Sequence, residues 1–177
     1  MNAKPSGRLL AFNIRATRVG YVLFDGPKRL LDWGTRSLPT GEKNREARQM
    51  RIASLVALTT PSEIVICKAR RKRDVNAIDA SKIVALVRRE AALSAIPCAF
   101  VGPKGVQRVF LAFGAANKYE MAALAAGLYP EVLWKLPPNR KRWQTEPRVM
   151  LVFDSLTVGL AYWLQHGHQI RGPRPTD

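Results

Sequence analysis

The side chains in this sequence that could do chemistry are mostly cations, and they come in runs. Lys68, Arg70, Arg71, Lys72 and Arg73 follow directly on the apolar run Ile64-Val65-Ile66-Cys67, and Arg140-Lys141-Arg142-Trp143 sets an indole inside a second basic stretch. A cation beside an aromatic ring suits a phosphate backbone with unpaired bases: the charge meets the phosphate and the ring stacks on the base. The blander reading makes Lys68–Arg73 a solvated loop and Trp143 a plug beneath its own loop. Metal and thiol chemistry is thinly provided. Cys67 and Cys98 lie in separate apolar runs with no CxxC spacing, which indicates neither a disulfide framework nor a zinc site and predicts buried thiols. His166 and His168 stand close together in a polar stretch without further Cys or carboxylate ligands, and are expected as solvent-exposed residues.

The overall charge agrees with the runs. Among 177 residues, 29 are Lys or Arg and 13 are Asp or Glu, a formal charge of +16, far more than solubility requires. Nucleic acid is the leading partner. An acidic membrane surface is a poorer match, because no basic amphipathic helix with a clean apolar face stands out. No apolar run approaches the roughly 20 residues of a membrane span, and the opening Met1–Arg8 has no signal-like apolar stretch, so a cytoplasmic or nucleoid-associated protein is expected. The 47% hydrophobic content is ample for one core, and residues 1–177 read as a single domain with a loose tail over 172–177.

The elements that must position the cations follow from apolar spacing. Leu9–Asn13, Val19–Phe24 and Arg29–Leu38 read as three antiparallel strands, the last two parted by the turn Asp25-Gly26-Pro27. Gly41–Leu58 reads as a helix burying Met50, Ile52, Leu55 and Val56, stopped by Pro61-Ser62. Ile64–Cys67 is a strand covered on both faces, feeding straight into the basic run. Asp79–Ala95 is a helix with Ile83, Val84, Leu86, Val87 and Leu93 inward, and Cys98–Val101 is a short strand. Gly102-Pro103-Lys104-Gly105 breaks the chain, Val106–Phe113 is a short helix or irregular, and Lys118–Leu128 is a helix capped by Asn117. Leu136–Glu146, Pro-rich and basic, is a loop, and Pro147 opens a last apolar helix to about Gln165. The predicted class is α/β: a mixed sheet, made of a three-strand antiparallel meander plus parallel strands, with helices on both faces.

That order is also the order of the RNase H superfamily, and several strings resemble the Holliday-junction resolvase family of RuvC within it. Leu10-Ala11-Phe12-Asn13-Ile14-Arg15-Ala16-Thr17-Arg18-Val19-Gly20-Tyr21 is similar to the family's opening, an apolar strand ending in Asp, then a Gly-containing turn, then Gly-Tyr. Ile64–Cys67 sits where the family has a strand ending in Glu. Val106–Val109 with Gly114-Ala115-Ala116-Asn117-Lys118 resembles the segment leading to a Lys at a helix start. Leu133–Pro137 resembles a Leu-Lys-Leu-Pro string, and Phe153–Ala161 the terminal helix with its last acids.

The resemblance implies a carboxylate cluster from the first strand, a central strand and the last helix, holding two divalent metals. Hard Mg²⁺ takes anionic oxygens, and two ions about 4 Å apart need several carboxylates to offset their repulsion. This sequence departs at three of the four positions: Asn13 replaces the first Asp, Cys67 the central Glu, and Leu151 an acid one turn before Asp154. Asp154 alone remains, either vestigial or a buried carboxylate bonded to nearby backbone. Glu63, Asp74, Asp79 and Glu146 are further acids able to migrate into the site, though none falls at a matching position. No cofactor is expected, with Mg²⁺ required only if a nuclease with a remodelled site is the correct reading.

On this resemblance Asn13, Cys67 and Asp154 meet at one end of the sheet, and Arg15, Arg18 and the Lys68–Arg73 run leave the same end. Arg15 takes a turn position usually held by Gly, putting a cation where phosphate would approach a metal. Lys104, Arg108 and Lys118 join from neighbouring loop and helix starts. The expectation is a homodimer that binds branched or structured DNA through its backbone and shape, without metal-dependent cleavage. An active Holliday-junction-type endodeoxyribonuclease and a non-enzymatic assembly factor for RNA or protein are the alternatives.

Overall fold

The computed structural model describes residues 7–67, 75–141 and 143–167, and only the backbone of 75–79. Strands β1 (Arg8–Arg15) and β2 (Arg18–Asp25) pair antiparallel from Arg8↔Asp25 to Arg15↔Arg18, leaving Ala16-Thr17 as the turn. Arg15 is therefore the last residue of a strand, a correction to its expected place in the turn. Strand β3 (Leu30–Ser37) pairs antiparallel with β2, with a register shift at Leu23/Phe24. Gly26, at φ +65, makes the turn between them, and the Asp25 N–H donates to the Arg29 carbonyl at 2.9 Å.

A 3-10 turn (Glu42–Asn44) leads into α1 (Arg45–Thr59), followed by β4 (Glu63–Cys67), α2 (Val75–Leu93) and β5 (Cys98–Val101). Both β4 and β5 run parallel, β4 against β1 and β5 against β4, giving the sheet order β3-β2-β1-β4-β5. Helices α3 (Pro103–Leu111), α4 (Lys118–Leu128), α5 (Pro130–Leu133) and α6 (Met150–Gln165) complete the chain.

Strand alternation splits the core in two. Leu9, Ala11, Val22, Phe24 and Val65 face α3 to α6, while Leu10, Phe12, Tyr21, Ile64 and Ile66 face α1 and α2. Helices thus cover both faces, as the apolar runs predicted. Each fully buried side chain of this kind contributes about 1.5–3 kcal/mol. Helix α6 lies unusually close to the strands because two glycines permit it. A Cβ on Gly20 would run into the Leu151 carbonyl oxygen and Ser155 Oγ, and one on Gly159 would enter the Phe24 ring.

Four sequence expectations are corrected. Met50 and Leu93, placed on apolar faces, are exposed; each lies two residues, about 200° around the helix, from a buried partner (Ile52, Ala91). Gly102–Gly105 does not break the chain, since Pro103 opens α3 at a position where its missing N–H costs nothing. Pro147 precedes α6 instead of starting it, its carbonyl accepting from the Met150 N–H at 3.0 Å. The one-turn helix α5 has no counterpart among the predicted elements. The 172–177 tail lies outside the described residues, among which no helix is long and apolar enough to cross a membrane.

Candidate nucleic-acid interface

The parallel register pairs Asn13 with Cys67 at the C-terminal ends of the two central strands. The Asn13 N–H donates to Ser155 Oγ at 3.2 Å, and that hydroxyl donates to the Leu151 carbonyl at 2.9 Å, tying the end of β1 to the first turns of α6. Asn13, Cys67, Leu151 and Asp154 are thus brought together. Cys67 and Cys98 are both half-buried, not buried as predicted; their strand ends lie at the margin of the core, and burial pushes the Cys98 thiol up.

Around Asp154 four charges interlock. Arg15 Nη2 lies 3.2 Å from Asp154 Oδ2 and 3.0 Å from Glu146 Oε2, and Lys118 Nζ lies 2.8 Å from Asp154 Oδ2 and also grips Glu146 Oε1. The carboxylates are the sheltered partners, with side chains 12% (Asp154) and 21% (Glu146) exposed, whereas Lys118 is 39% and Arg15 47% exposed. Asp154 therefore bonds to cations and not to neighbouring backbone. Glu146 does migrate into the site, from a position that no strand or helix match pointed to.

Local structure explains each placement. Arg15 is held at the hairpin end by its pairing with Arg18, which is half-buried on the adjacent strand. Lys118 opens α4, where a capping box fixes the helix start: the Glu120 N–H donates to Asn117 Oδ1 at 3.0 Å, and the Asn117 N–H donates back to Glu120 Oε2 at 3.2 Å. An ammonium at a helix N-terminus meets the positive end of the dipole, and here two carboxylates offset that cost. Glu146 arrives on the loop just before Pro147.

The electrostatics of the two acids diverge. Burial would raise Glu146, but Lys118 and Arg15 hold it below the ordinary carboxylate value. Asp154 is raised: its deeper burial, aided by the Glu146 charge, outweighs Lys118 and Arg15. For Arg15, burial works against the charge, yet the two acids raise it further.

Other predicted residues fall elsewhere. Gly105, beside Lys104, abuts the Gln165 side chain, about 16 Å along α6 from Asp154 at about 1.5 Å per residue. Lys104 and Arg108 lie on α3 and are not drawn into the charge cluster. Arg140 and Lys141 are exposed on the loop leading to Glu146, and Trp143 is 79% exposed, so it plugs no gap. Lys68, Arg70, Arg71, Lys72, Arg73, Asp74, Arg142 and His168 lie outside the described residues, as does the Asp79 side chain. Glu63 accepts from Tyr162 Oη at the opposite end of α6. His166 is half-buried, not an exposed tail residue, because its ring packs on Tyr162 with centroids 4.1 Å apart.

These residues do not fit a two-metal centre. Asn13, Cys67 and Leu151 offer an amide, a thiol and an isobutyl group, and the two carboxylates that the described residues bring here are engaged by side-chain cations. Among the described residues, no group of three or more His, Cys, Asp or Glu could hold a metal ion.

No protein-family model matches the sequence, and no curated protein matches it. Solved structures do. Thermus thermophilus RuvC in complex with a Holliday junction substrate superposes with a TM-score of 0.67 at 16% identity, covering 91% of this chain and 96% of that one. The fold is that of RuvC. A second structure of Thermus thermophilus RuvC gives a TM-score of 0.66 at 16% identity, covering 94% of this chain and 99% of that one. The yeast mitochondrial Holliday junction resolvase Ydc2 gives 0.62 at 14% identity, covering 92% of this chain and 82% of that one. The RuvC fold accounts for the mixed five-stranded sheet with helices packed on it.

Proposed function

We propose that this chain binds branched or structured DNA through phosphate contacts at the C-terminal edge of its central strands, without metal-dependent cleavage. The observation that carries this reading is the interlocked Arg15, Lys118, Glu146 and Asp154 cluster. Two half-exposed cations stand beside Asp154, and each can turn an N–H toward a phosphate oxygen. The substrate class follows Thermus thermophilus RuvC, which was solved with a Holliday junction bound, and the +16 charge of this chain supplies long-range attraction. A homodimer is the assembly we attach to this reading, checked by sedimentation over a range of concentrations.

Binding of a fluorescent four-way junction over a salt series tests the proposal. Affinity should fall by about 0.9 log unit per log unit of salt for each phosphate neutralised. A salt-insensitive interaction, or preference for structured RNA over junction DNA in competition, overturns it. Nuclease activity is the second reading, favoured by one observation: Glu146 brings a second carboxylate to Asp154. Incubating the junction with protein and Mg²⁺ or Mn²⁺ decides between them, because cleavage that disappears in Asp154→Ala would make the chain an endonuclease.

A further inference from the structure

Two tryptophans stand among the most exposed large apolar side chains described, Trp134 at 76% and Trp143 at 79%. An indole joins a large flat apolar face to a polar N–H edge, which is why tryptophan is enriched at contact surfaces. Both occur on the segment joining α5 to α6, and each carries an ammonium on its face: Lys135 Nζ is 4.9 Å from the Trp134 centroid and Lys141 Nζ is 5.3 Å from that of Trp143. The Trp134 ring is tied at its edge, and Trp143 lies within a hydrogen-bonded turn. Trp134 Nε1 donates to the Glu131 carbonyl at 2.9 Å, and Trp143 sits where the Gln144 N–H returns to the Lys141 carbonyl at 3.0 Å while the Lys141 N–H donates to Gln144 Oε1 at 2.9 Å.

The path of the segment matters as much as its ends. Tyr129, just before α5, donates its hydroxyl to the Pro27 carbonyl at the β2–β3 turn, the end of the sheet away from Asp154. Lys135 then lies 6.0 Å from the Trp33 ring on β3, a residue in register with Val22 midway along β2. The chain finishes at Glu146, inside the charge cluster. The described parts of the segment thus lead from the β2–β3 turn past Trp33 of β3 to the site, with one indole–lysine pair near the start and another just before the end.

Resting on the DNA-binding reading, we infer that Trp134 and Trp143 are stacking platforms for unpaired bases, so the preferred substrate is branched DNA with a single-stranded arm lying along the β3 edge. Rings with an attached cation accept any base on the face while the cation holds its phosphate, which suits sequence-independent capture of a single strand. Fully paired arms offer no free base faces. The charge cluster takes the branch, and the two indoles take the loose strand.

The test compares a forked duplex bearing an oligo(dT) arm with a fully paired four-way junction, using wild type, Trp134→Ala, Trp143→Ala and Trp143→Phe. Wild type should bind the forked duplex more tightly, with quenching of tryptophan fluorescence. Each Ala variant should lose about tenfold in affinity for the fork and less than twofold for the paired junction, while Trp143→Phe keeps most of the fork affinity. Equal losses on both DNAs, or unchanged fork binding, overturn the inference while leaving the DNA-binding proposal intact. Failure of wild type to bind either DNA removes the underlying proposal instead. A concentration-dependent dimer that dissociates in Trp134→Ala assigns that indole to protein contact and also overturns the inference.

Discussion

Helix α6 holds a carboxylate in place at each of its ends, by different means. At its C-terminal end Glu63 is satisfied by the Tyr162 hydroxyl, a neutral donor whose own ionisation is pushed up by burial and by the Glu63 charge. At its N-terminal end Asp154 is shared with Glu146, and the partners are two cations reaching in from β1 and α4. A phenol would have been enough to pair one acid. Two acids held by two half-exposed cations instead make a neutral group with positive charge on its outer side, the feature on which the proposed phosphate contact rests. The difference separates an end that only fastens the helix from the end proposed to bind.

Lys118→Met is the harshest way to erase that difference. It leaves two sheltered carboxylates sharing Arg15, and urea unfolding should show a loss of about 2–3 kcal/mol, below the range for fully buried pairs because Lys118 is partly exposed. Adding Asp154→Asn to that variant should recover much of the loss, a coupling that a double-mutant cycle reads directly. A change under about 0.5 kcal/mol would show that the cluster has no structural weight. Tyr162→Phe comes next. It should cost about 1–2 kcal/mol by stranding Glu63, yet leave junction affinity within about twofold under native conditions. A large drop in DNA binding would mean the two ends are not separate.

Acidification gives a smaller and more pointed effect. Asp154 is raised and Glu146 lowered, so on descending from pH 7 Asp154 takes up its proton first and the cluster passes from net zero to net positive. Junction affinity at fixed ionic strength should rise a few-fold, and Asp154→Asn should show the raised affinity already at pH 7 with a flatter profile. Stability follows opposite signs. The raised Asp154 favours the fold as pH falls through its folded value, whereas the Glu146 contribution, present above the ordinary Glu range, is lost as pH drops toward its lower folded value. Smallest of all is Arg15→Lys, which keeps the charge but replaces the Nη2 that reaches both acids with an ammonium on a shorter stem; a loss under about 1 kcal/mol and a modest drop in affinity are expected.

Much of the sheet was legible from apolar periodicity, because its strands are short runs bounded by turn residues. Cys98–Val101 and the Asn117-capped Lys118–Leu128 helix match the observed bounds. The meeting of Asn13, Cys67 and Asp154 was legible only through resemblance, since it depends on which strands lie side by side. Glu146 was legible only as one of four acids able to migrate into the site, for a physical reason: its position is set by a loop returning to the sheet end, and loops carry no period. Trp134 had a signal of its own, because Trp134-Lys135 repeats the pairing of indole and ammonium that marks Trp143. Lys104 shows the converse, a basic residue at a helix start that tertiary packing carries to the far end of α6.

The near contact of α6 with the strands at Gly20 and Gly159 bears on how such a site can change. With the Leu151 carbonyl seated on Gly20 and the Phe24 ring against Gly159, a larger residue at either glycine would push the helix, and Asp154 with it, away from β1. Change at the proposed binding edge then falls to what hangs over it, the hairpin tip, the α4 start and the incoming loop, pieces that can be exchanged without disturbing that seat.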